Sequence, residues 1–217
     1  MKMWIALAGL TVMGCDSRTP EQSRNPQPVP TRPDDSAVPS PQPAEPAADP
    51  GHARPAPASA SQLAGEAIAR AQWKRARNHA DCAPLALLSA AGADGTPRSA
   101  SFAGGWAVAF DMPGLRSAYG FAGTAILDVD REDPAAQRRR LNAQWPLMRD
   151  LSALPQPAFA GYGLMGAEPY PPDNPEGQGM QSLAYVRIGG QTCTYNVWSH
   201  ISRAHLEALL ENLRVLH

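Results

Sequence analysis

Hydrophobic and polar positions follow three regimes along the chain. Met3 to Gly14 is an unbroken uncharged run rich in Trp, Ile, Leu, Ala and Val. From Asp16 to about Ala60 apolar residues are scattered among prolines without a period. From Ser61 onward, short periodic segments recur between Gly, Pro and Asp-Gly breaks. There SQLAGEAIARAQWKRARNHA predicts a helix, with a serine available as cap and Leu63, Ala67, Ile68 and Ala71 on one stripe. PLALLS, RSASF, GWAVAFDM and AYGFAGTAILDV follow as strand-like runs, with Asp94-Gly95 as a hairpin turn and Pro113-Gly114 as a stop. Asp133 before Pro134 reads as an N-cap with proline in the first helical position, opening PAAQRRRLNAQW. Pro146 interrupts that helix, and PLMRDLSAL is a candidate continuation after the break. Beyond the loop-like GAEPYPPDNPEGQG, the runs SLAYVRI and QTCTYNVWS are joined by Gly189-Gly190 as a hairpin. A closing helix takes Ser202 as cap and carries Leu206, Leu209, Leu210 and Leu213 inward, with Arg203, Glu207, Glu211 and Arg214 outward. The order helix, strands, helix, strands, helix lacks βαβ alternation. The expected fold is therefore α+β: an antiparallel sheet with helices packed on one face, in a single domain covering 61–217.

The first regime is too short to cross a bilayer as a helix, which needs about 20 apolar residues. A positive start at Lys2, an apolar core and a small residue at its end match a secretory signal. With Cys15 following Gly14, LTVMGCDSRTP resembles the lipobox of bacterial lipoproteins, with Val12 in the aliphatic position and Gly14 at the cleavage side. Met13 stands where that family prefers a smaller residue. The resemblance is confined to the signal and the overall layout. It implies that residues 1–14 are removed, that Cys15 is acylated on sulfur and again on its new terminus, and that the protein is held in the cell envelope by its lipid anchor. The domain is then expected in the periplasm, on the inner or the outer membrane. Asp16 resembles the inner-membrane retention signal of enteric lipoproteins, but other bacteria read this position differently.

Residues 15–60 are expected to be a tether. Prolines lack the amide donor that helices and central strands need, and the apolar content is too low to offset the entropy of ordering. A chain of roughly 45 residues extends about 140 Å as polyproline II and about 40 Å as a flexible coil.

Charge changes the picture little. The net charge is −1, and the clusters Lys74-Arg75-Arg77 and Arg138-Arg139-Arg140 fall in predicted helices, where they read as solvated faces. No nucleic-acid partner is expected.

Once Cys15 is taken by lipid, Cys82 and Cys193 remain, and an even pair in an oxidising compartment is most simply a disulfide. A reactive thiol or a metal ligand is the alternative, although neither cysteine has ligand spacing. Asp128, Asp130 and Glu132 form an acidic cluster that departs from the EF-hand pattern, with Asp133 in place of its glycine. A solvated strand end and helix cap explains them, and a looser calcium site is the other reading. His200 and His205 do not form HExxH, Ser199 beside His200 carries no triad signature, and no GxGxxG or GKS/T pattern leads into a helix. No cofactor, catalytic residue or resident metal is therefore expected.

Three functional classes follow. The first is a non-enzymatic binding or inhibitory domain, similar in layout to envelope immunity lipoproteins, with an envelope or secreted protein as partner. The second is a structural or assembly component of an envelope complex, and the third a hydrolase with a cryptic site. For the first, the contact surface expected is the proline-rich loop, with Tyr170 as aromatic anchor and Pro171, Pro172, Asp173 and Asn174 beside it.

Overall fold

A computed structural model describes residues 63–102 and 104–217. The signal, Cys15 and the tether, residues 1–60, lie outside the described residues. Helix α1 (Glu66–Trp73) leads to a short strand β1 (Leu85–Leu87) and then to a meander of β2 (Thr96–Phe102), β3 (Gly105–Met112) and β4 (Leu115–Gly123). A 3-10 turn at Asp128–Arg131 precedes α2 (Pro134–Gln144), β5 (Leu147–Asp150) and β6 (Phe159–Leu164). The chain ends with β7 (Ser182–Arg187), β8 (Thr194–Ser199), α3 (Arg203–Asn212) and β9 (Leu213–Val215). Seven strands form one antiparallel sheet in the order β2-β3-β4-β8-β7-β6-β5, and β1 pairs with β9. This is the expected α+β architecture, an antiparallel sheet with helices against it, except that the helices, expected on one face, cover parts of both.

The period-two pattern of β3 explains how the sheet divides its faces. Trp106, Val108 and Phe110 point one way and Ala107 and Ala109 the other, because successive side chains of a strand alternate. On the first face, Phe110 lies in register with Tyr119 and stacks on it at 4.6 Å. Phe121 and Val197 form the next cross-strand pair, and Tyr195 and Val186 another. Against this layer α3 places Leu206, Leu209 and Leu210, all buried, and α1 places Ala69. Each of these leucines contributes about 1.5–3 kcal/mol on full burial. Gly65, at φ +80°, lets the chain turn into α1, and a Cβ there would press on Phe110 and Phe121.

Two helices, α1 and α3, share that face. The third, α2, lies over the opposite face at the β5–β6 end, where Leu141 and Trp145 pack with Phe159 in a smaller core. Gly161 of β6 lies directly beneath them, with the ring of Trp145 3.0 Å from where its Cβ would stand. Asp133 caps α2 as expected, its carboxylate accepting from the amides of Ala135 and Ala136. Ser202 caps α3 by accepting from the amide of His205 at 3.0 Å.

Local differences from the sequence reading have physical causes. PLMRDLSAL does not continue α2: its start is β5, whose Leu147 to Asp150 pair with Tyr162 to Phe159. A short apolar run does not distinguish a strand from a helix by period alone, and the ladder to β6 decides. Asp94-Gly95 is not a hairpin turn, because β1 leaves the main sheet to pair with β9. Leu213 keeps its buried place, but as the first residue of β9 and not of the helix.

Candidate functional site

Because α2 covers only one end of its face, the β2-β3-β4-β8 end carries a groove of about 350 Å³. Its floor is made of small residues, Ala100, Ala107 and Ala109, so the sheet is recessed there. Trp198 of β8 lies across Gly120 of the neighbouring strand, where any Cβ would run into the indole. The indole N–H donates to the carbonyl of Ser117 at 3.2 Å, which fixes the ring against the floor. Phe102 and Met165 stand at the groove with 39% and 53% exposure. Apolar side chains this exposed around a recess are the usual signature of an interaction surface.

The groove lining carries no fixed charge. Its one titratable residue, His200, has its pKa lowered by burial and is neutral at pH 7. At the margin Arg98 meets Asp111 at 2.7 Å, and the hydroxyl of Ser117 accepts from the same guanidinium. Arg98 and the amide of Ser117 hold the Asp111 carboxyl below its ordinary range. Asn196 lies 94% buried in the lining, and its side-chain carbonyl oxygen has no hydrogen-bond partner.

The expected loop site sits on the other side. Tyr170 is half-buried and its hydroxyl bonds to Ser182 at 2.9 Å, on the face that α1 and α3 cover. Arg203 stacks over the ring at 5.7 Å and pairs with Glu176 at 2.8 Å. Tyr170, Pro171 and Pro172 line a shallow depression with Arg203. Asn174 closes its own turn, donating to the carbonyl of Gln178 and accepting from its amide, and Asp173 is exposed. The stems of the loop, Met165 and Gln181, are joined by a backbone bond of 2.9 Å and line the groove.

The acidic residues do not converge. Asp130 is buried and accepts from the amide of Leu127 and the hydroxyl of Thr194, Glu132 pairs with Arg140 at 3.2 Å, and Asp128 is exposed. Among the described residues no group of three His, Cys, Asp or Glu is placed to hold a metal. Cys82 and Cys193 form a disulfide, with Cα atoms 5.6 Å apart. Among the described residues no helix is long and apolar enough to cross a membrane.

Ser199 is bonded to a histidine, but to His205 and not to its neighbour His200. Both partners are buried, and the far ring nitrogen of His205 meets the carbonyl of Ala90 at 3.2 Å where a triad would place a carboxylate. The pair ties α3 to the sheet and offers no accessible nucleophile. Sequence reading missed the groove, although the signal was there: alanine at the outward positions 107 and 109 of GWAVAFDM, beside a strand carrying Trp198.

Comparison of the chain with known protein families, with curated proteins and with solved structures finds no match.

Proposed function

We propose that this is a lipid-anchored envelope protein whose domain works by binding a protein partner in the groove beside Trp198. The lipobox resemblance at Cys15 supports the anchor, and the proline-rich tether supports a domain that reaches away from a membrane surface into the periplasm. The observation that carries the binding reading is the groove: recessed, uncharged, and edged by exposed Phe102 and Met165. An inhibitory role toward a secreted or envelope enzyme fits a surface of this kind, since capture needs area and shape and no reacting group. In a hydrolase the same recess would be expected to join a nucleophile to a base; Ser101, Ser117 and His200 line it, but among the described residues no hydrogen bond links the imidazole to either serine, and the Ser117 hydroxyl is engaged by Arg98.

Crosslinking in native cells followed by capture of the full lipoprotein tests this reading. One dominant partner is expected, lost both in the Cys15→Ser variant, which is not anchored, and in Met165→Asp, which puts a charge at the groove. Equal recovery with Met165→Asp would remove the groove from the function.

A further inference from the structure

The groove opens toward β2, an edge of the main sheet, and among the described residues no strand pairs with its outer side. Pro97 stands in register with Phe110 but has no N–H to give a ladder bond, so it belongs to the set whose main-chain groups face away from β3. In an antiparallel strand that set alternates, which assigns the outward amides and carbonyls to Ser99 and Ser101 as well. Consistently, the carbonyl of Ser99 accepts from the Arg98 guanidinium at 3.3 Å and not from a neighbouring strand. Ser99 and Ser101 are both exposed. An unpaired edge next to a hydrophobic recess is a template for strand addition, in which main-chain bonds hold the peptide and alternate side chains select it.

The charges around the groove decide what kind of peptide fits. The groove has no counter-ion for a buried charge: Arg98 and Asp111 already neutralise each other, and His200 is uncharged. A charged side chain entering beside Trp198 and Met165 would lose its water and gain no partner. Resting on the binding role proposed above, we infer that β2 accepts an extended, uncharged segment of a protein partner as an eighth strand. Every second side chain of that segment, apolar and small to medium in size, enters the groove. The segment bonds to Ser99 and Ser101 along its backbone, in the gap between β2 and solvent. The amide oxygen of Asn196, buried in the lining without a partner among the described residues, suits a hydroxyl or amide on the same face of the segment.

Random peptides displayed on phage, selected against the full-length protein held in lipid nanodiscs, test the mode directly. The expected sequences are uncharged and alternate apolar with small polar residues. Their synthetic copies should bind wild type and lose about tenfold affinity, the equivalent of roughly 1.4 kcal/mol, in Ser101→Pro, which deletes one edge amide. Ser101→Lys should lose as much while keeping every backbone group native, so a folding defect in the proline variant leaves the test intact. Selected peptides that are charged or helical would overturn the inference, as would no selection above background. So would peptides indifferent to both Ser101 variants. Sedimentation that shows a concentration-dependent dimer, abolished by Ser101→Lys, would assign the edge to a second copy instead. If the native partner is lost with Met165→Asp yet kept with Ser101→Lys, the groove stands as the binding surface and strand addition fails. If it is kept with both, the binding role at this face fails as well.

Discussion

The Oγ of Ser199 lies 2.9 Å from Nδ1 of His205, joining the end of β8 to the first turn of α3 inside the domain. The carbonyl of Ala90 can only accept, so Nε2 carries a proton, and in the neutral ring the serine hydroxyl donates to Nδ1. The imidazole is held between two fixed partners, edge-on to Tyr119 at 5.0 Å. Burial lowers its pKa, against a smaller opposite pull from Ala90, and burial lowers that of His200 too. An unfolded histidine titrates near pH ~6.5. Below that pH the unfolded chain gains protons that the folded chain refuses, so stability is complete above it and declines as the solution is acidified. Urea unfolding between neutral and mildly acidic pH should show the midpoint falling, and His205→Gln should make the fall shallower. An unchanged slope in His205→Gln would assign the dependence to other groups.

Tyr170 is the loop's attachment to the domain. Its ring packs on Gly177, leaving no room there for a Cβ, and its hydroxyl reaches Ser182 from β7. The sequence points to an anchor for a partner, a role in which removal of the ring leaves the domain's own stability nearly unchanged. The contacts instead predict that Tyr170→Ala lowers unfolding free energy by about 2–3 kcal/mol, toward the lower end for an aromatic truncation because the ring is half-buried. Tyr170→Phe should cost about 1 kcal/mol, the value of one hydrogen bond. Denaturant titration of the three proteins measures both differences.

The parts of this fold that were legible were those written in local chemistry. Asp133-Pro134 announces a capped helix, Ser202 another, and Gly189-Gly190 a hairpin, because each rests on groups a few residues apart. What stayed hidden depends on strands far apart in sequence. β1 reads as the opening of a meander, yet its partner is β9, about 130 positions on. β5 reads as helix until β6 offers it a ladder. The groove is a property of which end of a sheet α2 happens to cover, and no single strand records that. Likewise His205 was adjacent to nothing reactive in the sequence, since a capped turn was needed to bring it under Ser199.

The disulfide supplies a measurable share of stability. Cys82 follows α1 and Cys193 immediately precedes β8, with a separation of 111 residues. In the chain-entropy model a loop of that length stabilises by about 4–5 kcal/mol, an upper figure since any strain in the folded state subtracts from it. The double substitution Cys82→Ala with Cys193→Ala should approach that loss in guanidinium titrations, and reductant should reproduce it in the native sequence. Insensitivity of the wild-type midpoint to reductant would show that the bond contributes little.

Gly120 and Trp198 define the groove floor together. A methyl group at Gly120 would meet the indole and also the carbonyl of Val108. Gly120→Ala should therefore tilt Trp198 out of the groove and also push the strand away from the carbonyl of Val108, at a cost of about 3 kcal/mol or more, the upper end of the overpacking penalty. The tryptophan emission maximum should move to longer wavelength as the ring gains water, and partner capture should fall with it. Unaltered emission would mean that the strand backbone yields and not the indole.

Asp130 carries a structural load that Asp128 and Glu132 do not share. Its carboxylate takes the hydroxyl of Thr194 and the amide of Leu127, and Gln137 from α2 donates to that same Thr194 at 2.9 Å. Arg187 is 92% buried alongside, bonded through one nitrogen to the backbone carbonyl of Asp130. Desolvation lowers the Arg187 pKa, and Asp130 is the charge that pulls it back up. Removing the carboxylate leaves that guanidinium without a nearby anion, so Asp130→Ala should cost about 3–5 kcal/mol. Asp128→Ala and Glu132→Ala, at exposed or part-exposed positions, should each cost about 1 kcal/mol or less. Thermal melts with and without added calcium separate this from a cation site. If the three acids shared a calcium ion, all three substitutions would abolish a calcium-dependent rise in Tm; if Asp130 serves the network beneath α2, its large loss appears at every calcium concentration.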